Sequence, residues 1–260
     1  MENGKIIAYG ELMLRLSPIE YHSLLEQSDP LKMGFAGAEA NILADLSLLG
    51  HSTAFVSAFP NNPVGRSADL FLKRLGINTQ SVFWEEGRLG TYYIEHGTSI
   101  RATRVTYDRK HSCVSHTAFS ADDWDIILED ASLLVLTGIT RALSDVCREN
   151  IETALELADQ KNIKIAFDLN YRRTLWSPRE ARESFEAILP KVDILFGNIG
   201  AAADVFGFVV PAINNYEDIK LATEKVADFL HELGDFEYLA MTLRQQESAS
   251  HNILGGMVRQ

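Results

Sequence analysis

Asp168, Asn170, Tyr171, Arg172 and Arg173 stand close together in the stretch I-A-F-D-L-N-Y-R-R-T-L-W-S-P, from Ile165 to Pro178. They bring a carboxylate, an amide, a phenol and two permanent positive charges to one place. A guanidinium fork matches a carboxylate or a phosphate, so paired arginines point to an anionic ligand. The same residues also suit a structural role, in which Asp168 and an arginine pair to tie down a loop. The apolar run before them, Ile163 to Asp168, reads as a buried strand. Parallel α/β sheets place ligand sites just beyond the carboxyl ends of such strands.

Other residues could serve the same chemistry. Gly37 precedes a run with Ile42, Leu46 and Leu49 at helical spacing, closed by Gly50. A glycine at a helix start lets a ligand approach the backbone, and free amides there favour oxygen ligands. It also fits a plain turn. Asn41, one turn further on, faces either the ligand or solvent. Tyr92, Tyr107 and Arg109 fall in a strand-rich segment, where tyrosines also serve as packing residues with a wet hydroxyl.

The elements that must position these residues follow an α/β pattern. Lys5 to Tyr9 and Thr53 to Phe59 read as buried strands, and Val64 to Leu75 as a helix ended by Gly76. Gln80 to Trp84, Leu89 to His96 and Ala102 to Tyr107 read as three strands without helices between them. They predict an antiparallel flap that could close over a site. From Ser120 the alternation resumes, with Ser132 to Leu136 as a strand ending in T-G-I-T and Ser144 to Lys161 as an amphipathic helix. Ser177-Pro178 opens the next helix with a cap and a first-turn proline. Strands at Val192 to Phe196, Tyr238 to Leu243 and Asn252 to Val258 follow, with helices from Ala201 and Glu217. Repeated βα units predict a mainly parallel sheet with helices on both faces.

The totals narrow the function. A chain of 260 residues with 46% hydrophobic and 23% charged residues suits one large globular domain, or one domain with a small appendage. A net charge of −12 argues against a nucleic-acid surface, which needs a basic face to release counterions. Cys113 and Cys147 have no metal-ligand or C-x-x-C spacing and read as free thiols of a cytoplasmic protein. The start M-E-N-G-K-I-I-A-Y-G is too weakly apolar for a signal peptide, and no stretch spans a bilayer.

G-A-E-A-N at Gly37 to Asn41, the flap with V-T-Y-D-R-K, T-G-I-T at Thr137 to Thr140, and F-D-L-N-Y-R-R-T-L-W-S-P together resemble the ribokinase-like (PfkB) carbohydrate kinases. The resemblance is nearest to the 2-keto-3-deoxygluconate kinases among them, and D-x-N-Y-R-x-x-L-W is its most specific part. It implies a three-layer α/β sandwich with a small β-strand lid within 12–35 and 80–112. The implied reaction moves a phosphoryl group from ATP, with Mg2+, to the terminal hydroxyl of a keto-sugar acid. Gly37, Asn41, Tyr92, Tyr107, Arg109 and Ile139 would hold the sugar, and Arg172 its carboxylate. Asn198 would lie near the phosphates, and Thr242 and Arg244 near the nucleotide. Lid strands in this family form contacts between copies, so a homo-oligomer is expected.

Two departures accompany the resemblance. The family's catalytic aspartate belongs to a Gly-Ala-Gly-Asp type motif, and no such run occurs here; Gly255-Gly256 is followed by Met257-Val258. This predicts a domain incomplete at its C-terminal side, no catalytic base in the chain, and poor turnover. After Asn198 comes I-G-A-A-A, with no acid until Asp204, where the family carries an acidic run. Two functions remain open: a sugar-acid kinase, or a non-catalytic sugar-acid binding protein. Fructose or another neutral sugar is the alternative substrate.

Overall fold

The computed structural model describes residues 4–249 and 251–260. Met1 to Asn3, in the N-terminal run, and Ser250, in the late motif, lie outside them. The chain begins with β1 (Lys5–Tyr9), β2 (Met13–Pro18), β3 (Leu31–Ala36), α1 (Ala38–Leu48), β4 (Thr53–Pro60) and α2 (Pro63–Arg74). Three strands follow: β5 (Val82–Glu85), β6 (Thr91–Glu95) and β7 (Arg104–Asp108). Then come α3 (Ala121–Ile127), β8 (Ala131–Thr137), α4 (Gly138–Arg141), α5 (Asp145–Gln160), β9 (Lys164–Asp168) and α6 (Pro178–Glu186). The chain continues through β10 (Ile194–Gly197), α7 (Ile199–Phe206), α8 (Tyr216–His231), β11 (Tyr238–Gln246) and β12 (Asn252–Arg259).

Local chemistry sets many of these boundaries. The Asn62 side chain accepts from the amides of Val64 and Gly65, and Pro63 opens α2 behind it. Ser120 and Ser177 each form a capping box, with Asp123 and Glu180 respectively. Gly50 and Gly76 follow α1 and α2 at φ of 90° and 77°, a region that glycine enters without a Cβ penalty.

Eight strands form the main sheet in the order β12-β11-β10-β9-β8-β1-β4-β5. All neighbours are parallel except the β11–β12 hairpin. One face packs against α3, α5, α6, α7 and α8 through Trp124, Ile151, Phe185, Phe206 and Leu230. The other packs against α1 and α2 through Leu43, Phe55, Phe59 and Leu72. This is the three-layer arrangement that the βα repeat predicted.

A second sheet, in the order β3-β2-β6-β7, holds strands expected as a lid and is called the lid. Two expectations change here. The strand expected at Gln80 to Trp84 is β5, and it extends the main sheet beside β4 rather than joining the flap. The lid is also mixed, because β2 and β6 pair in parallel while their outer neighbours are antiparallel. Runs of β-forming residues announce strands; which sheet a strand joins depends on non-local pairing.

Candidate active site

The residues in question gather along the carboxyl edge of the main sheet. Glu11 follows β1, Gly37 caps α1, Thr137 ends β8 and Asp168 ends β9. T-G-I-T stands at the end of β8 as expected, with Thr137 as the last strand residue and the following three residues in the short helix α4. The Thr137 hydroxyl caps it by accepting from the Thr140 amide at 3.5 Å. Ile139 is half-buried in its first turn.

Two buried glutamates underlie this edge. Glu11 accepts from Arg109 through Nε at 2.9 Å and Nη2 at 2.5 Å, and from the Ser112 hydroxyl at 2.6 Å. Glu39 accepts from the hydroxyls of Thr137 at 2.6 Å and Thr140 at 2.5 Å. Burial pushes the Glu39 carboxyl above the ordinary range, and the two threonine hydroxyls partly oppose that. Glycines leave room for both acids and for their backbone. A Cβ on Gly90 would stand 2.4 Å from Glu11 Oε1, and one on Gly37 would stand 2.3 Å from the Glu11 carbonyl oxygen.

Arg109 lies one residue past β7, at the base of the lid, and its guanidinium also sits 5.6 Å from the centre of the Tyr107 ring. Tyr107 and Tyr92 are register partners across the lid, with ring centres 6.1 Å apart. The lid thus delivers its two tyrosines and Arg109 as one group. Asn41 is exposed on α1.

At the end of β9 the chain turns sharply. Asn170 has φ of 31°, and its amide donates to Asp168 Oδ1 at 3.0 Å. Asparagine is among the few non-glycine residues that enter this region readily. Burial raises the Asp168 carboxyl to about 6, while the Asn170 amide and the Arg172 charge pull it down. Asp168 forms no ion pair with either arginine. Arg173 pairs with Asp204 at 2.8 Å, and exposed Arg172 has no hydrogen bond or ion pair among the described residues. The loop-tying alternative is therefore met by Arg173 and Asp204 rather than by Asp168. A cavity of about 560 Å3 opens beside this loop, between Tyr171, Arg173, Trp176 and Asp204.

The second group lies further along the same edge. Asn198 caps α7 by accepting from the Ala201 amide at 2.9 Å. The register pairs Gly197 with Met241, so Asn198 and Thr242 follow side by side. Thr242 and Arg244 are exposed on one face of β11. That face also carries Asp168 and Phe196, because β9, β10 and β11 pair in register. The I-G-A-A-A run has a packing explanation: Ala201 and Ala202 are buried where α7 meets the core. Gly255 and Gly256 lie within β12, opposite Leu243 and Thr242, and form no loop.

Several residues of this site escaped sequence reasoning. Glu11 and Glu39 were not among the residues singled out from the sequence. Arg141, directly after T-G-I-T, is 2% exposed and donates to Ser184 at 2.5 Å and Glu152 at 2.8 Å. Asn150 donates to the Tyr9 hydroxyl at 2.9 Å and to the Thr117 carbonyl at 2.9 Å beneath the sheet edge. The only available signal was the pair of acids beside glycines, Gly10-Glu11 and Gly37-Ala38-Glu39.

Comparison with known proteins identifies the family and the fold. The sequence pattern of the pfkB family carbohydrate kinases matches residues 3–237. A 2-dehydro-3-deoxygalactonokinase of Haloferax volcanii is 36% identical over 243 residues, 92% of this chain and 71% of the relative. A 5-dehydro-2-deoxygluconokinase of Bacillus licheniformis is 27% identical over 195 residues, and the match spans 74% of this chain but only 59% of that protein. The crystal structure of a 2-dehydro-3-deoxygluconokinase from Thermotoga maritima superposes with a TM-score of 0.91 at 35% identity. That superposition covers 98% of this chain and 77% of the Thermotoga chain. An Escherichia coli protein assigned as a ribokinase II, solved with ATP and Mg2+, shares the fold with a TM-score of 0.75 at 16% identity.

Proposed function

The chain belongs to the pfkB family of carbohydrate kinases, and on that premise we propose that its site receives a 2-keto-3-deoxy sugar acid as acceptor for the phosphoryl group of ATP. The observation that carries the substrate class is Arg172: an exposed guanidinium without an ion-pair partner among the described residues, at the end of β9. Such a group prefers a carboxylate to a neutral hydroxyl. Arg109 differs, because Glu11 already balances its charge. It offers the ligand donors rather than net charge, and discrimination between acid and neutral sugar falls to Arg172.

The remaining roles follow from position. Gly37 presents the backbone at the start of α1, with Asn41 one turn on. Ile139 supplies an apolar contact from α4. Tyr92 and Tyr107 reach down from the lid and exclude water when it closes. Asn198, Thr242 and Arg244 lie on the neighbouring part of the edge, and Gly256 opposite Thr242 leaves that face open. These residues fit a nucleotide. They do not fit Mg2+ directly, since the first turn of α7 holds no acid. ATP, when bound, supplies the phosphoryl group; the chain's own task is to align the acceptor hydroxyl and balance charge.

One observation favours a second reading for these 260 residues taken alone. The Gly-Gly pair sits in a strand with no aspartate after it, so it does not supply the family's proton-accepting aspartate. This polypeptide is then a sugar-acid binder whose turnover falls below the roughly 1–100 per second of kinases. Calorimetric titration with 2-keto-3-deoxygluconate, followed by Mg-ATP and a phosphorylation assay, tests both readings. Saturable sugar-acid binding is expected. No binding, or equal affinity for fructose, overturns the substrate reading; turnover at ordinary rates overturns the second.

A further inference from the structure

Glu39 is 1% exposed and lies within ion-pair distance of no cation among the described residues. Acidic side chains are almost never buried this fully without a partner, because the lost hydration must be replaced. Two threonine hydroxyls replace it, both directed at Oε1. The position is also built from the other side. A Cβ on Gly10 would stand 2.3 Å from the Glu39 carboxyl, and its three nearest neighbours would all be Glu39 atoms.

The places this carboxyl joins are specific. Glu39 stands in the first turn of α1, two residues after Gly37. Its two donors, Thr137 and Thr140, flank Gly138 and Ile139. Gly37 and Ile139 belong to different elements, separated by a hundred residues of chain, and among the described residues no other side-chain hydrogen bond ties α1 to α4. We propose that Glu39 is a positioning residue for sugar-acid binding: by receiving the Thr137 and Thr140 hydroxyls, it holds the Gly37 backbone and the Ile139 turn at the one separation that lets both meet a single ligand. This rests on the sugar-site reading above.

Three variants separate the role from simple core stability. Glu39→Gln keeps an oxygen that accepts both hydroxyls. Glu39→Ala removes it. Gly10→Ala leaves Glu39 in the chain but displaces its carboxyl. Calorimetric titration with 2-keto-3-deoxygluconate, well below each variant's Tm, is expected to leave Glu39→Gln within about threefold of the parent. Glu39→Ala and Gly10→Ala are expected to weaken binding by about tenfold or more. Thr137→Val/Thr140→Val should produce the same loss, with no further loss when combined with Glu39→Ala. A lower Tm with unchanged affinity in Glu39→Ala and Gly10→Ala would make Glu39 a stability residue and overturn the proposal.

Amide hydrogen exchange gives a readout independent of the ligand. Glu39→Ala and Gly10→Ala should lose protection together in residues 36–43 and 137–143, while Glu39→Gln keeps it. Loss in one segment or neither refutes the clamp. If the parent binds no sugar acid, the sugar-site reading fails, and joint loss of exchange protection still establishes the clamp between the two elements.

Discussion

At the scale of single residues, charge balance decides what each ionisable group can do. Arg172 forms no ion pair among the described residues, whereas Arg109 and Arg173 are matched by Glu11 and Asp204. Arg172→Ala is expected to weaken keto-acid binding by roughly 10- to 100-fold, as loss of a charge-assisted bond does. Neutral-sugar binding should not change; calorimetry with both ligands checks this, and equal losses would make Arg172 structural. Asp168 gives a pH signature. Its carboxyl titrates near 6 in the fold, above its ordinary value of 3.8. A raised acid binds its proton more tightly when folded, so it lowers stability as pH climbs from about 4 to 6 and holds that cost above 6. Asp168→Asn should therefore raise stability at pH 8 by up to about 3 kcal/mol and give no gain near pH 4. Denaturant unfolding at the two pH values measures it; an equal gain at both would show that packing rather than charge is responsible.

At the scale of elements, the turn after β8 is the tightest junction of the site. A Cβ on Gly138 would stand 2.2 Å from the Leu169 carbonyl oxygen and 2.7 Å from the Phe185 ring. The turn that carries Ile139 therefore rests directly on the chain leaving β9 toward Arg172. Gly138→Ala is expected to cost about 1–3 kcal/mol through overpacking and to weaken sugar-acid binding with it. Gly34→Ala, in β3 of the lid with nothing within 4 Å of the added carbon, should stay near neutral. Urea unfolding of the pair provides the comparison, and similar midpoints would contradict the close packing at Gly138.

Two exposed surfaces matter at the scale of the whole molecule. β7 is exposed at every residue and forms one edge of the lid, so its free backbone groups can pair with another chain. The β10–β12 end of the main sheet shows Phe196, Leu254 and Val258 on a single face, at 42%, 73% and 68% exposure. Contiguous apolar surface of this kind favours association. Val105→Lys on β7 is expected to reduce a defined oligomer to single chains in light scattering. Leu254→Lys should instead reduce concentration-dependent aggregation without altering that oligomer. The reverse pattern would move the copy-to-copy contact from the lid to the main sheet. No helix among the described residues is long and apolar enough to cross a membrane.

The sequence by itself determined the βα alternation, most helix starts and the cluster at the end of β9. Those features are written in local chemistry: hydrophobic period, capping serines at 120 and 177, and Asn170 at a turn that few residues accept. It also carried the family, through motifs whose spacing survives in one dimension. Only the tertiary structure decided that β5 leaves the lid for the main sheet, since strand pairing joins residues distant in the chain. The same holds for the two glutamates. Glu11 and Glu39 lie in ordinary-looking sequence, and their partners Arg109, Thr137 and Thr140 come roughly a hundred positions later. Burial of a charge and its compensation are properties of assembled surroundings, so the acids beside Gly10 and Gly37 hint at a crowded position without naming its partners.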